Sequence, residues 1–519
     1  MTATAANQGA STNFSHAARW LATAAALSAF FTSIFTSSIV NVAIPHVMGA
    51  FGVGQNQAQF LSTSFLATNI TGLLASSWAI GKIGQRQTFL MVMGVFGSAS
   101  VLCYIAPTLE ILILGRVLQG FAGGVLQPLV MMVLFQVFPL EKRGLAMGMF
   151  SMGVTVALGL GPSVGGIAID VFSWRAIFLV PIATCLATSV LGILFLPPEE
   201  NRTELGRFDL LGFALINIFV FGWFTLLGNG QKWGWLSDDL MLLATGTLLA
   251  GVGFVLSQCR KGATLLDLSL FRNMPFVMAL ACAFFFAFGN FASIYSFSIF
   301  GQIIQGFSPT VAGSMLLPGS LCAALILPFT GRASDMMPAP VVMIFGLIII
   351  FVSVSMLASA DTNTVFSYVA LSLLIGRVGS ALANPAINTT AIGALNPQQM
   401  RQGAGVTNLF LMFGGSTGIS LYVIVLEYRT EFHASYLSLT QTVANDTTLE
   451  MLGSIAGRLS NAGLPDALQQ SVSMYYLDRV VTAQANVLGF QDGFYLLALV
   501  ALAPLLPVSL LIRYRLRKA

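Results

Sequence analysis

Long apolar runs, broken by charges, prolines and polar clusters, dominate the chain. Splitting it at those breaks gives segments at 18–44, 56–80, 87–106, 109–137, 144–168, 174–196, 209–228, 239–257, 275–302, 309–331, 339–359, 364–393, 403–428 and 489–512. A helix needs about 20 apolar residues to cross a hydrocarbon core about 30 Å thick. No charged residue lies between Arg19 and Lys82, a gap long enough for two crossings. The pattern predicts an all-α integral membrane protein with fourteen transmembrane helices, and the even count puts both termini on one side. Ahead of the first span, "MTATAANQGASTNFSHAAR" is small and polar, and no A-x-A-like cleavage site follows a short apolar stretch. Residues 1–17 are therefore expected to be a disordered tail rather than a removable signal.

One connection is long, 429–488. In it Leu449, Leu452, Ile455 and Leu459 recur at helical spacing and Gly463 with Pro465 supplies a break. Two amphipathic helices lying over the mouth of the bundle are expected there, a loosely ordered loop being the alternative.

Composition agrees with the pattern. The chain is 56% hydrophobic and 8% charged, with a mean hydropathy of +0.84, where a soluble chain is about 25% charged. The net charge of +4 suits loops facing anionic lipid and gives no reason to expect nucleic-acid binding. Sixteen of the 23 Lys and Arg fall on the side of the termini, two within spans and five opposite, so both termini are expected in the cytoplasm. A bacterial inner membrane is the expected location. Cys103, Cys185, Cys259, Cys282 and Cys322 lack metal-ligand spacing and read as reduced packing residues. No metal or cofactor is expected. No cluster of His, Cys or paired carboxylates stands at catalytic spacing, which speaks against an enzyme and leaves a membrane enzyme or sensor as a remote reading.

An internal echo adds the first functional signal. Gly115-Arg116-Val117 and Gly376-Arg377-Val378 each sit early in a span, Gln127 and Asn388 follow at the same distance, and Pro139 with Arg143 is matched by Pro397 with Arg401. Repeated halves are a sign of a secondary transporter with its substrate site near the midplane. The expected arrangement is two pseudo-symmetric six-helix bundles, 18–198 and 273–519, with two inserted spans in 199–272. A buried charge at the bilayer centre costs about 2.5–3.5 kcal/mol even on the lenient scale. Arg116, beside Gln119, and Arg377, near Asn384 and Asn388, thus either contact substrate or tie helices together.

The span at 144–168 carries Gly153, Gly159, Gly161, Gly165 and Gly166 with Pro162 inside it. Small residues let backbones approach, and Pro bends the helix.

With these features the chain resembles the major facilitator superfamily, and within it the fourteen-span drug:proton antiporters. "ALGLGPSVGG" (157–166) is similar to their fifth-span signature G-x-x-x-G-P-x-x-G-G, with Ala157 in place of the first Gly. Arg116, Gln119 and Gly120 match R-x-x-Q-G in the fourth span, "SWRAIFLVPI" (173–182) resembles the start of the sixth, and "NVAIP" (41–45) the end of the first. The long outer loop, led in by "YRTEFH" (428–433) and out by "FQDGF" (490–494), looks like that of EmrB-type multidrug efflux proteins. That resemblance implies export of amphipathic small molecules, proton antiport, and partnership with an EmrA-like periplasmic adaptor and a TolC-like outer-membrane channel.

The chain also departs from the family. The first-span acid, a candidate proton carrier, aligns with Thr36, and in "SWAIGKIGQR" (77–86) Gly81 replaces the acid of the cytoplasmic loop motif. The second copy keeps Gly331, Arg332 and Asp335, which resemble gating contacts, a plain helix-end ion pair being the alternative. No carboxylate falls near a midplane. Thr32, Ser33, Thr36, Ser37, Ser38 and Asn41 in the first span are instead expected to line a wet, neutral cavity with Asn69, Gln127, Tyr295 and Asn408, although each hydroxyl could bond back to its own helix. Glu110 or Asp170 at the outer mouth, modulated by Arg116, is the remaining proposal for proton coupling. A second reading keeps the fold but changes the cargo to one endogenous product such as a siderophore, fatty acid or lipid.

Overall fold

The computed structural model describes residues 16–138, 143–196, 208–259, 265–396 and 399–518. Among them every regular element is a helix. The first set comprises α1 (His16–Phe51), a single turn α2 (Gln55–Ala58), α3 (Phe60–Ile83), α4 (Gln85–Ile105), α5 (Leu109–Val137), α6 (Arg143–Val171) and, after a 3₁₀ turn at Trp174–Phe178, α7 (Leu179–Phe195). A pair follows, α8 (Leu210–Trp233) and α9 (Asp238–Gln258). The second set is α10 (Met274–Ile303), the short α11 (Pro309–Ser314), α12 (Leu316–Met336), α13 (Ala339–Leu357), α14 (Phe366–Ile392), α15 (Met400–Thr440), α16 (Asp446–Asn461), α17 (Asp466–Leu502) and α18 (Leu505–Lys518).

The two sets pack alike. α1 lies on α5, α6 and α7 as α10 lies on α14, α15 and α17, and α5 sits between α3 and α4 as α14 sits between α12 and α13. These are the two pseudo-symmetric bundles expected from the internal echo. They meet along two seams, α3 against α15 and α6 against α11 and α12, with α1 touching α10 between them. The inserted α8 packs on both α3 and α15 and so covers the first seam, where Phe219, Trp223 and Phe224 surround Phe413.

Thirteen helices among the described residues are long and apolar enough to cross a membrane. The fourteenth crossing, α3, falls outside that set although it has 24 residues. It carries Ser62, Thr63, Ser64, Thr68, Asn69, Thr71 and Ser76, all buried. Hydroxyls of Thr63, Thr68, Thr71 and Ser76 bond to carbonyls of their own helix, which removes the cost of placing them away from water. α9 is the opposite case: Leu242, Leu248 and Leu249 are more than 60% exposed, as befits side chains that meet lipid.

The α3–α5 crossing is close because it is built on glycine. A Cβ on Gly124 would lie 2.1 Å from the Asn69 carbonyl oxygen, one on Gly120 2.3 Å from that of Phe65, and one on Gly72 2.0 Å from that of Phe121. Backbones this near each other gain dispersion contacts that lipid chains cannot supply.

Several expectations change here. Residues 1–15 of the expected tail lie outside the described ones, while His16 and Ala17 already belong to α1. The connection 429–488 is not two helices lying across the mouth. α15, at 41 residues, is about 60 Å long and overruns any bilayer; α17 likewise starts well beyond the last span and runs into it. Only α16 is a separate amphipathic helix, packed on α17. The cause is local: no Gly or Pro stands between Glu427 and Thr440, or between Asp466 and Asn486, so each span simply continues. Arg429 and His433 of α15 both bond Asp492 of α17, at 2.6 and 2.7 Å, which clasps the base of the projection. The two flanking motifs read along the chain thus meet in space. Of the cysteines, Cys103, Cys185 and Cys282 are buried as expected, whereas Cys259 is exposed at the end of α9.

Gly124→Ala is expected to destabilise the protein by about 1–3 kcal/mol through overpacking, read as a lowered melting midpoint in detergent; a Gly94→Ala control, where a Cβ meets nothing within 4 Å, leaves the midpoint unchanged.

Candidate functional site

Arg116 is fully enclosed in the first bundle. Its Nε donates to the Leu61 carbonyl at 2.8 Å and its Nη1 to Gln119 Oε1 at 2.8 Å, with a longer contact to the Thr36 carbonyl at 3.4 Å. The guanidinium lies over the Phe65 ring, 4.4 Å from its centroid. Gln119 passes the chain on to Ser100 at 2.7 Å. Such an arrangement ties α1, α3, α4 and α5 together. No carboxylate pairs with Arg116 among the described residues; the charge is held by carbonyl dipoles, an amide and an aromatic face.

The hydroxyl-rich stretch of α1 turns inward too. Thr32 bonds to the Ser28 carbonyl and Thr36 to that of Thr32, at 2.8 and 2.7 Å, and Asn41 accepts from Ser62 at 2.7 Å. Thr36, Asn41, Asn69, Gln119, Arg116 and Tyr295 are all at most 6% exposed. The expectation that they line an open cavity is corrected for this conformation: all six are buried within the bundles, where Thr36 and Arg116 reach backbone carbonyls while Asn69 Oδ1 and Tyr295 Oη have no hydrogen-bond partner among the described residues. Of the first-span hydroxyls from Thr32 to Ser38, Ser37 alone keeps partial exposure.

Other predicted residues do come together. Asn408 of α15 donates to Gln127 of α5, bridging the two bundles. On α14, Asn388 donates to the Asn384 carbonyl and side chain at 3.0 and 3.1 Å. Ser380, one turn before Asn384, donates to Asn290 of α10 at 3.2 Å. Ser380, Asn384 and Asn388 follow one face at intervals of four and are part-exposed. A polar, part-exposed face on a membrane helix belongs to a wet space between bundles, not to lipid. Ser380 and Asn290 were not picked out from the sequence; the four-residue spacing to Asn384 was the available signal. Arg377, on the same helix, is buried at 7% exposure and packs its stem on Gly319 of α12.

The Gly-Pro stretch of α6 faces two ways. A Cβ on Gly161 or Gly165 would meet α1, at Ser38 and Ile39. Gly159 and Gly166 face the other bundle: a Cβ on Gly166 would lie 2.2 Å from the Pro309 carbonyl oxygen, and one on Gly159 2.1 Å from Ser320 Cβ. Across the seam, Gly313 approaches the Pro162 carbonyl just as closely, and Ser163 donates to the Gly313 carbonyl at 3.0 Å. Asp170, further along α6, accepts from the Thr310 backbone amide at 2.9 Å. Gln302 of α10 donates to the Val42 carbonyl of α1 at 3.0 Å. The bundles are therefore shut against each other on the face away from the chain termini, the distal face. Glu110 is exposed at the first turn of α5, on that face. Gly331, Arg332 and Asp335 end α12, and their side chains lie outside the described residues.

Two halves that close on each other around a polar face are the working parts of an alternating-access membrane transporter. The sequence matches the model of the Major Facilitator Superfamily over residues 26–419, and the chain belongs to that family. It is 27% identical over 487 residues to the MFS-type transporter YhcA of Bacillus subtilis (strain 168), covering 92% of this chain and 90% of that one. With the multidrug export protein EmrB of Escherichia coli (strain K12) it shares 25% identity over 472 residues, 91% of each chain. Its fold is similar to the inward-facing, unoccupied crystal structure of a bacterial homologue of the human lysosomal transporter Spinster, with a TM-score of 0.65 at 15% identity, covering 96% of this chain and 99% of that one. The chain is thus a multi-pass membrane transporter.

Removing Arg116 tests its role as a tie. Arg116→Ala is expected to cost about 3 kcal/mol through the lost charge-assisted bonds and the cavity left behind, visible as a lower melting midpoint in detergent. A purified variant with the wild-type midpoint would mean that the four helices hold without it.

Proposed function

We propose that the chain is a secondary active exporter of amphipathic, largely apolar compounds, working by alternating access of its two bundles and coupled to proton entry. The observation that carries this reading is the α6 seam. Gly166 and Pro162 bring backbone against the opposing backbone at Pro309 and Gly313, and Gly159 leaves room only for the small Ser320, so the contact is a close surface of small groups that rigid bodies can make and break. The antiporter-like Gly-Pro signature is what supplies that surface. The part-exposed amides Gln127, Asn384 and Asn388 offer hydrogen bonds without fixed charge, which suits uncharged or weakly charged amphiphiles. The similarity to EmrB, a multidrug export protein, supports the same cargo class.

With the basic residues concentrated on the side of the termini, we take that side as cytoplasmic and the distal face as the outside of a bacterial inner membrane. The projection formed by α15, α16 and α17 then stands outside, where an EmrA-like adaptor feeding a TolC-like channel would meet it. The alternative of one endogenous cargo such as a siderophore, fatty acid or lipid would be favoured, for an anionic amphiphile, by a cationic contact in the cavity; Arg116 is fully enclosed, and the neutral amide face favours the broader cargo range.

A cell strain expressing the protein is expected to tolerate several-fold more of chemically unrelated amphipathic drugs than one lacking it, and Asn384→Ala or Asn388→Ala is expected to change the ranking of compounds while membrane abundance holds. A deletion strain that accumulates one metabolite with no change in any drug susceptibility would contradict multidrug export. Efflux from vesicles that ignores an imposed pH gradient would contradict proton coupling.

A further inference from the structure

Asp170 has a counterpart in the other half. Glu427 of α15 accepts from the Asn56 backbone amide through Oε1 at 2.9 Å, the same length as the bond from Thr310 to Asp170. Both bonds cross between bundles, in opposite senses. Asp170 belongs to the first bundle and holds the turn that opens α12; Glu427 belongs to the second and holds the turn that opens α3. The two acids stand equally far from the starts of their helices, Arg143 and Met400.

The turns they hold also match. Gly52 and Gly306 both adopt left-handed backbone, with φ of 64° and 65°, which glycine tolerates without strain. Two residues on, Gly54 and Ser308 stand at the N-caps of the short helices; two further, Asn56 and Thr310 present the bonded amides; two further again, Ala58 and Ala312 are buried. The sequences "GVGQNQA" and "GFSPTVA" share little beyond the first Gly and last Ala, so the match lives in geometry.

We infer that Asp170 and Glu427 are paired, pseudo-symmetric latches that hold the distal gate shut, one at each seam, and that proton uptake by either carboxylate releases its side. A charged acceptor makes a hydrogen bond roughly twice as strong as a neutral one, so protonation weakens each bond without removing the side chain. Neither carboxylate has a Lys or Arg ion-pair partner among the described residues, so the opposing amide is the bond that ties each of them to the other bundle. His46 of α1 lies close enough to Asp170 to interact with its charge. Glu427 is faced by Glu431 on its own helix and by Tyr295 of α10. A crevice of about 340 Å³ lined by Pro45, His46, Gln302, Phe307 and Pro309 opens next to Thr310, and Asp170 itself is exposed to solvent. The inference rests on the proposed orientation; the latches make the distal gate sensitive to protons and do not themselves carry a proton across the membrane.

The test reads the gate rather than transport. In full-length protein with the five native cysteines replaced by Ser, spin labels at Ala50→Cys and Thr362→Cys, both exposed on the distal face, report the separation of the bundles. Asp170→Asn and Glu427→Gln are each expected to raise the ratio of long to short distances roughly threefold, and the double variant more. Acidification is expected to widen the unsubstituted protein and to add nothing in the double variant. Asp238→Asn, an acid at the start of α9 that holds no other bundle, leaves the distances unchanged. A double variant with the original distances, or one that still opens with acid, overturns the inference. Because no cargo enters the measurement, a protein that exports none of the tested drugs yet opens in this way would sink the proposed cargo and leave the latches standing.

Discussion

On the lipid side of a bilayer a polar atom has no water to turn to, so in this chain departures from a purely apolar helix are turned toward other helices or toward the space between the bundles. Thr32 and Thr36 meet this constraint by bonding to their own backbone, Ser38 by bonding to the Leu158 carbonyl of α6, α3 by burying itself between α5 and α15, and Arg116 by collecting carbonyls from α1 and α3 and the Gln119 amide of its own helix. Had these groups faced lipid, each would have cost several kcal/mol. The same constraint explains why the part-exposed amides of α14 mark a wet space: lipid would not tolerate them.

The seams follow a second economy. Within a bundle, glycines at Gly72, Gly120 and Gly124 lock α3 to α5 through backbone contact that has no reason to open. Between bundles, Gly159, Gly166 and Gly313 use the same close approach, but the polar bonds that accompany it are few and end on backbone groups of the opposing turn. Two rigid bodies joined by a small, close contact are suited to part as units. The inserted α8 adds an asymmetry, since it lies over the α3–α15 seam and leaves the α6–α12 seam without a comparable cover.

The fold was largely legible along the chain. Fourteen crossings, the two-fold repeat and the inserted pair all follow from apolar runs and from the echo between Gly115-Arg116-Val117 and Gly376-Arg377-Val378. The direction of side chains was not. Arg116, Asn69 and Tyr295 read as cavity residues because a polar group in a span suggests water, yet a helix in a bundle has a buried face as well as a wet one, and residue type alone does not choose between them. Gln127 and Asn408 were each visible as polar, but nothing in the sequence says that they touch across bundles. The loop 429–488 was misjudged because hydropathy reports where lipid ends, not where a helix ends.

The account as a whole stands on the bundles closing and parting at the α6 seam. The most direct test links Ile167→Cys on α6 to Ser308→Cys ahead of α11 with a short, reducible thiol cross-linker in cysteine-free protein, then follows efflux of a fluorescent amphipathic dye from vesicles. Cross-linking should stop efflux and reduction should restore it. Undiminished efflux with the two bundles covalently joined would contradict the account.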